Sequence, residues 1–83
     1  RPTRCARCHG ELEESIIQYV TFFDGRLVVI SDVPMLRCRA NGHEYMLEKT
    51  LDEVEQVLRL DKAQKLRPTE MMHVPVFKLG MAA

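Results

Sequence analysis

Three cysteines are the residues of this chain whose spacing suits chemistry. Cys5 and Cys8 form a C-x-x-C pair near the N-terminus, and Cys38 follows after a spacer of 29 residues. A C-x-x-C turn presents two thiolates to one metal ion, and zinc commonly takes such ligands. An odd number of cysteines argues against a closed set of disulfides. The pattern therefore predicts metal ligation in a reducing compartment.

The sequence offers no fourth cysteine to complete a tetrahedral site. Asn41 stands where a second C-x-x-C pair would end, and its neutral amide oxygen is a poor zinc ligand. We expect His43, just beyond Gly42, to be the fourth ligand. The predicted metal ligands are Cys5, Cys8, Cys38 and His43. The alternative is a small β domain without metal, in which the thiols are buried as compact hydrophobic side chains.

Other chemistries fit the sequence less well. Cys5-x-x-Cys8-His9 matches the attachment signature of c-type haem, but the following segments resemble strands rather than the helices of such cytochromes. A thioredoxin-type pair needs a preceding strand and a helix N-terminus that lowers the thiol pKa, and neither is predicted. The sequence contains no catalytic serine–histidine–carboxylate pattern or phosphate-binding glycine loop. We therefore expect a protein that is not an enzyme.

Length and charge set further bounds. A chain of 83 residues forms one small domain, and domains of this size often depend on a metal, a disulfide or a partner protein. Twelve basic residues balance twelve acidic ones, so the electrostatic attraction required for non-specific nucleic-acid binding is missing. No apolar stretch is long enough to span a bilayer. We expect a cytoplasmic protein that does not bind membranes.

The first elements read as a β-hairpin. Residues 15–23 and 26–30 are rich in β-branched and aromatic side chains. Asp24 and Gly25 separate them, which is a strong hairpin signal. Pro34 cannot donate a hydrogen bond to a neighbouring strand, so we expect the second strand to end before it.

A short strand and one helix follow the hairpin. Residues 43–46 resemble a short returning strand. Thr50 and Glu53 match a capping box, which predicts that the helix begins at Thr50, and Pro68 is expected to stop it. Apolar side chains recur at helical spacing and predict a face packed on the sheet; they are Leu51, Val54, Val57 and Leu58.

The remaining residues form an extended tail. The predicted division is a zinc-ribbon-like β domain with its helix over residues 1–67 and a tail over residues 68–83. Pro75 restricts the tail to an extended shape. The segment from Met71 to Leu79 is apolar for a chain end, so two interpretations stay open. The tail either docks on a partner by strand addition, or covers the core of this chain or of a second copy.

Several short motifs together resemble the YgiT-type zinc-finger domain, which is also the N-terminal domain of MqsA-like antitoxins. They are the runs Cys5-x-x-Cys8-His9-Gly10-Glu11-Leu12-Glu13, Asp24-Gly25-Arg26, Val33-Pro34-x-x-x-Cys38 and Gly42-x-Glu44-Tyr45. The resemblance covers roughly residues 5 to 60. The order of cysteine pair, hairpin and Val-Pro before the third cysteine is its most specific part.

The resemblance implies a fold, a metal and a function. The fold is α+β: a small zinc-ribbon-like antiparallel β domain with one C-terminal amphipathic helix. The metal is a structural zinc, held in the family by two C-x-x-C pairs, the last of which aligns with Asn41 here. The function is binding and neutralisation of a cognate toxin, a ribonuclease in MqsA-like members. DNA binding belongs to a separate helix-turn-helix domain and is not expected here. The alternative is a stand-alone or self-associating module, for instance a homodimer.

Overall fold

A three-stranded antiparallel sheet and one helix make up the fold. The computed structural model describes residues 4–80. The elements are β1 (Leu12–Phe23), β2 (Arg26–Cys38), β3 (Glu44–Tyr45) and α1 (Glu48–Lys62). β2 lies between β1 and β3 in the sheet. The predicted fold class, α+β with an antiparallel β domain and one helix, is confirmed.

The predicted hairpin is confirmed, together with its turn. β1 and β2 pair from Phe23 opposite Arg26 down to Leu12 opposite Cys38. Asp24 and Gly25 both have positive φ, 53° and 78°. Two successive residues in that region define a type I′ turn, whose twist matches that of the two strands.

The prediction that β2 ends before Pro34 was wrong. The strand continues to Cys38, and Pro34 pairs opposite Ile16. The register shifts between Ile17 and Tyr19, where two residues of β2 lie opposite one residue of β1. Asp32 has a positive φ of 57° at this point, which is typical of a β-bulge. Pro34 has a neighbouring strand on one side only, because β3 pairs with Leu36 and Arg37 and does not reach it, so the missing N–H of proline is tolerated there.

The predicted capping box was also wrong. The helix begins at Glu48, with Leu47 as the N-cap, and no side chain caps it. Thr50 therefore lies inside the first turn. The backbone N–H of Leu51 donates to the carbonyl of Leu47 at 2.9 Å, and the helix begins two residues earlier than the Thr50–Glu53 pattern predicted.

The helix ends at Lys62, before Pro68. Gln64 adopts a positive φ of 57°, and its N–H donates to the carbonyl of Asp61. The N–H of Lys65 donates to the carbonyl of Leu60. These two bonds form a Schellman motif, which satisfies the last carbonyls of the helix without needing a proline.

The core lies between one face of the hairpin and α1. Val33, Val54 and Leu58 are buried. The partly buried residues packed against them are Ile17, Tyr19, Phe23, Val28, Ile30, Met35 and Met46. The predicted helix stripe is thus correct at its centre, whereas Leu51 is exposed.

Residues 68–80 carry no regular secondary structure and are exposed. The residues of the predicted tail at positions 81–83, and residues 1–3 of the predicted β domain, lie outside the described part of the chain. The tail side chains from Met71 to Leu79 do not enter the buried core. Within residues 4–80, no helix combines the length and apolarity needed to cross a bilayer.

Candidate metal centre

The first half of the site is a tight turn that we call the N-terminal turn (residues 5–10). The N–H of Cys5 donates to the carbonyl of Gly10 at 2.8 Å, and the N–H of His9 donates to the carbonyl of Cys5 at 2.9 Å. His9 has a positive φ of 58°. These bonds fold the C-x-x-C segment so that Cys5 and Cys8 lie on the same side of the turn.

The second half is the central turn (residues 38–43), which repeats the same backbone pattern. The N–H of Cys38 donates to the carbonyl of His43, and the N–H of Gly42 donates to the carbonyl of Cys38, both at 2.8 Å. Gly42 has a positive φ of 75°. Counted from the first residue of each turn, Asn41 occupies the position that Cys8 holds in the N-terminal turn.

Sheet pairing brings the two turns together. Leu12 at the start of β1 lies opposite Cys38 at the end of β2. The N–H of Arg39 donates to the carbonyl of Glu11 at 2.9 Å. The backbones of Arg4 and Glu11 form an isolated antiparallel β-bridge. The hairpin therefore closes the 29-residue spacer and presents both turns at one end of the sheet.

The three thiols converge at this end. The sulfur atoms of Cys5, Cys8 and Cys38 all lie within 4.8 Å of one another, and Cys8 Sγ lies 3.5 Å from Cys38 Sγ. Two sulfurs bound to one tetrahedral zinc are about 3.8 Å apart, given a zinc–sulfur bond near 2.3 Å. A disulfide would need about 2.05 Å, and all three cysteines are free.

Gly10 permits this close approach. A Cβ at this position would lie 2.9 Å from Cys38 Sγ and 3.2 Å from Cys8 Sγ. Both distances are shorter than ordinary carbon–sulfur contacts, so any side chain here would displace the sulfur atoms. Glycine at residue 10 is therefore required by the convergence of the thiols.

Tyr45 on β3 contacts the thiol cluster from the side. Its hydroxyl forms a hydrogen bond with Cys5 Sγ at 2.8 Å. This bond lowers the pKa of Cys5 to about 6, against the opposing effect of desolvation. The same bond raises the pKa of Tyr45. Tyr45 therefore favours the thiolate form of Cys5, which is the form that binds metal.

Cys8 has the opposite tendency. A backbone hydrogen bond at Gly10 lowers its pKa, but the hydrogen bond with Cys38, desolvation and the neighbouring Cys5 together raise it above the ordinary value. Three thiols this close cannot all ionise easily without a cation between them. The arrangement thus favours a bound metal ion.

Asn41 and His43 occupy different places relative to the thiols. The Asn41 side-chain amide donates to Cys8 Sγ at 3.3 Å and points toward Cys5 Sγ at 3.7 Å. The ring nitrogens of His43 are not part of the cluster of ligand atoms. Instead, the His43 ring packs edge-on against Tyr45, with ring centroids 4.8 Å apart. The metal-ligand role predicted for His43 stays a prediction.

The cluster fits zinc. Thiolate is a preferred zinc ligand, and Cys5 and Cys38 are buried at 1% and 0% exposure without a disulfide. Cys5, Cys8 and Cys38 would hold the ion, which would crosslink the two turns and so stabilise the sheet end. The three cysteines thus form a candidate structural zinc site.

Two residues of the site, Tyr45 and Asn41, are not predicted from the sequence in the roles that the structure gives them. The spacing does indicate Asn41, because Asn41 follows Cys38 by three positions, just as Cys8 follows Cys5 by three positions. No sequence signal identifies Tyr45, since its contact with Cys5 joins residues 40 positions apart.

Comparison with known proteins supports the fold assignment. The structure is similar to that of the N-terminal domain of the E. coli protein MqsA, also called YgiT, with a TM-score of 0.52 and 24% sequence identity. The similarity covers 74% of this chain and 92% of that domain. No protein-family model matches the chain, and no curated protein matches it either. The chain therefore has the fold of the MqsA N-terminal domain, as its motifs predicted, with three of the predicted zinc ligands gathered at one end of the sheet.

Proposed function

We propose that this chain is an antitoxin-like protein that binds and neutralises a cognate toxin through protein–protein contacts. The proposal is of a protein that is not an enzyme and that acts in the cytoplasm, where reducing conditions keep the thiols available to zinc. Two observations point in this direction: the fold shared with the MqsA N-terminal domain, and an apolar surface that is exposed in the described part of the chain.

The apolar surface carries the proposal. Residues alternate along β1, so that Ile17, Tyr19 and Phe23 pack toward α1 while the opposite side of the hairpin is exposed. We call that side the outer face, defined by Ile16, Val20, Phe22 and Leu27. Phe22 is 75% exposed and Ile16 is 70% exposed. Several large apolar side chains exposed on one face of a sheet are typical of a protein interaction site.

The outer face suits a protein partner better than a nucleic acid. The chain has no net charge, whereas nucleic-acid interfaces are strongly basic. An exposed aromatic side chain among aliphatic ones is the type of anchor that dominates protein interfaces. The proposed partner is a toxin protein, as the resemblance to MqsA-like antitoxins implies; a ribonuclease toxin would fit that resemblance.

The tail adds a second apolar segment. Val76, Phe77 and Leu79 are exposed by 89% or more. The start of the tail and residues 26–32 of β2 line a groove of about 460 Å³. We propose that the tail joins the toxin contact in an extended conformation.

Co-expression with a candidate toxin encoded by a neighbouring gene tests the proposal. The double variant Val20→Thr/Phe22→Thr removes apolar area while keeping residues that favour strands. We expect it to weaken toxin binding by at least about tenfold and to restore toxin activity in a growth assay. Leu51→Ala, an exposed apolar residue on α1, is the matched control and should bind normally.

Truncation after Pro68 tests the tail separately. Because residues 69–80 are exposed, the truncated chain should fold, and weaker toxin binding would support tail docking. Unchanged binding by the truncated chain would limit the contact to the outer face. If the double variant also bound the toxin candidate normally, the outer face would not be a toxin-binding surface. If, in addition, the wild-type chain sedimented as a stable homodimer and the double variant as a monomer, the antitoxin proposal would be replaced by that of a self-associating module.

A further inference from the structure

The thiol cluster offers three sulfur ligands, and within residues 4–80 no other histidine, cysteine or carboxylate ligand atom lies with them. We propose that the zinc would be held by Cys5, Cys8 and Cys38 only, and that its fourth coordination position is open to an exchangeable external ligand. Water would take this position in the isolated chain, and an imidazole nitrogen would replace it. Zinc sites with three protein ligands and an exchangeable fourth are those that bind other molecules rather than only holding a fold.

The matching backbone of the two turns indicates where the open coordination position, which we call the open corner, would lie. Each turn has the same pair of backbone hydrogen bonds and a positive-φ residue at its fifth position. The N-terminal turn places a thiol at its fourth position, Cys8, and the central turn places Asn41 there. The amide of Asn41 accordingly points at the sulfurs of Cys5 and Cys8.

Asn41 is oriented so that it cannot bind a cation. Its Oδ1 accepts a hydrogen bond from the backbone N–H of His43 at 2.7 Å. This contact turns the NH₂ group toward the thiols, where it donates to Cys8 Sγ at 3.3 Å. An amide NH₂ group carries no lone pair for a metal. Asn41 therefore stabilises the negative charge of the thiolates instead of ligating the ion.

Tyr45 contributes in the same way. Its hydroxyl lies 2.8 Å from Cys5 Sγ, whereas an oxygen and a sulfur bound to the same tetrahedral zinc are about 3.5 Å apart for ordinary bond lengths. The distance is that of a hydrogen bond between the Tyr45 hydroxyl and Cys5 Sγ. Three thiolates on a divalent ion carry a net negative charge, which donors such as Asn41 and Tyr45 offset.

No other side chain in the described part of the chain completes the site. Among residues 4–80, the group of histidine, cysteine and carboxylate ligand atoms near the sulfurs consists of the three cysteines. His43 is exposed and packs on Tyr45. Cys8 and Asn41 are exposed as well, so an external ligand can reach the open corner from solvent.

Cobalt substitution tests the proposal with a spectroscopic readout. Co²⁺ replaces zinc in the purified chain, and imidazole is then added. We expect the wild-type chain to show charge-transfer absorption for three thiolates and a saturable shift of the visible bands with imidazole. His43→Ala should behave in the same way. Asn41→Cys should raise the charge-transfer absorption by about one third, as four thiolates replace three, and should lose the imidazole response.

X-ray absorption spectroscopy of the zinc-loaded wild-type chain identifies the atoms bound to zinc. This measurement tests the proposal even if Asn41→Cys does not fold. Three sulfurs and one light atom, without imidazole scattering, would support the proposal. Imidazole scattering in the absence of added imidazole, lost in His43→Ala, would overturn it in favour of a histidine ligand. Four sulfurs at the zinc would overturn it in favour of a site shared between two copies.

Discussion

The N-terminal turn and the central turn have the same backbone but different side chains. In each, the first residue is a buried cysteine, Cys5 or Cys38, whose N–H and carbonyl make the two bonds that close the turn. The fourth residue is Cys8 in one turn and Asn41 in the other. Both point at the same thiol cluster. One turn therefore presents two thiols, and the other presents one thiol and a hydrogen-bond donor.

The conformation of a turn and the number of metal ligands that it presents depend on different features of the chain. The conformation of each turn depends on backbone hydrogen bonds and on one residue in the left-handed region, so it survives replacement of a ligand. The number of metal ligands depends only on which side chain the turn presents. Replacing one ligand therefore leaves the backbone of the turn intact. The coordination of the metal changes, whereas the fold does not.

The largest expected effect comes from changing the fourth residue of each turn. Cys8→Ala leaves two thiolates, so we expect it to lose stable zinc binding and most of a binding free energy on the order of 10 kcal/mol for a structural zinc. Asn41→Ala removes only hydrogen bonds to the thiolates and should weaken zinc binding by about tenfold. Competition with a chelator of known affinity measures both.

Equal losses in Cys8→Ala and Asn41→Ala would contradict the assignment of different roles to the two residues. Unchanged zinc binding in Cys8→Ala would remove Cys8 from the site. Circular dichroism with and without metal checks that each variant is compared in its folded state.

A smaller effect is expected at the sixth residue of each turn. Gly10→Ala places a methyl group 2.9 Å from Cys38 Sγ, and overpacking of this kind typically costs about 1–3 kcal/mol. His43→Ala changes the equivalent residue of the central turn, which is exposed, and should alter stability by less than about 0.5 kcal/mol. Urea unfolding of the zinc-loaded chains gives both free energies of unfolding.

A destabilised His43→Ala variant that also loses zinc would show that His43 is a ligand, as the sequence predicted. If Gly10→Ala were as stable as the wild type, the space between residue 10 and the sulfur atoms would have to be larger than the structure shows.

The smallest effect is expected at the fifth residue, where the turns need positive φ. His9 adopts this conformation at a cost of about 1 kcal/mol relative to glycine. His9→Gly should therefore raise the free energy of unfolding by up to about 1 kcal/mol, and Gly42→Ala should lower it by a similar amount. Thermal unfolding of the zinc-loaded chains measures the two shifts. Shifts of the same sign in both variants would mean that the turns differ in backbone conformation.

Much of the fold could be predicted from local sequence. The Asp24-Gly25 pair predicted the hairpin because few residues other than glycine, asparagine and aspartate tolerate positive φ. The helix centre was predictable because Val54 and Leu58 lie one turn apart. The helix start and the course of β2 past Pro34 were not, because a bulge at Asp32 and a helix without a side-chain cap leave no clear local signal.

The candidate site divides in the same way. The sequence by itself determined the ligand type and the likeness to a zinc ribbon, because thiolate chemistry depends on residue identity and the C-x-x-C spacing is local. Only the tertiary structure decided what surrounds the thiols. The contact of Tyr45 with Cys5 and the turning of the Asn41 amide toward Cys8 depend on pairing between β1, β2 and β3. Such pairing joins residues far apart in the chain, and no local pattern encodes the direction of a side chain across it.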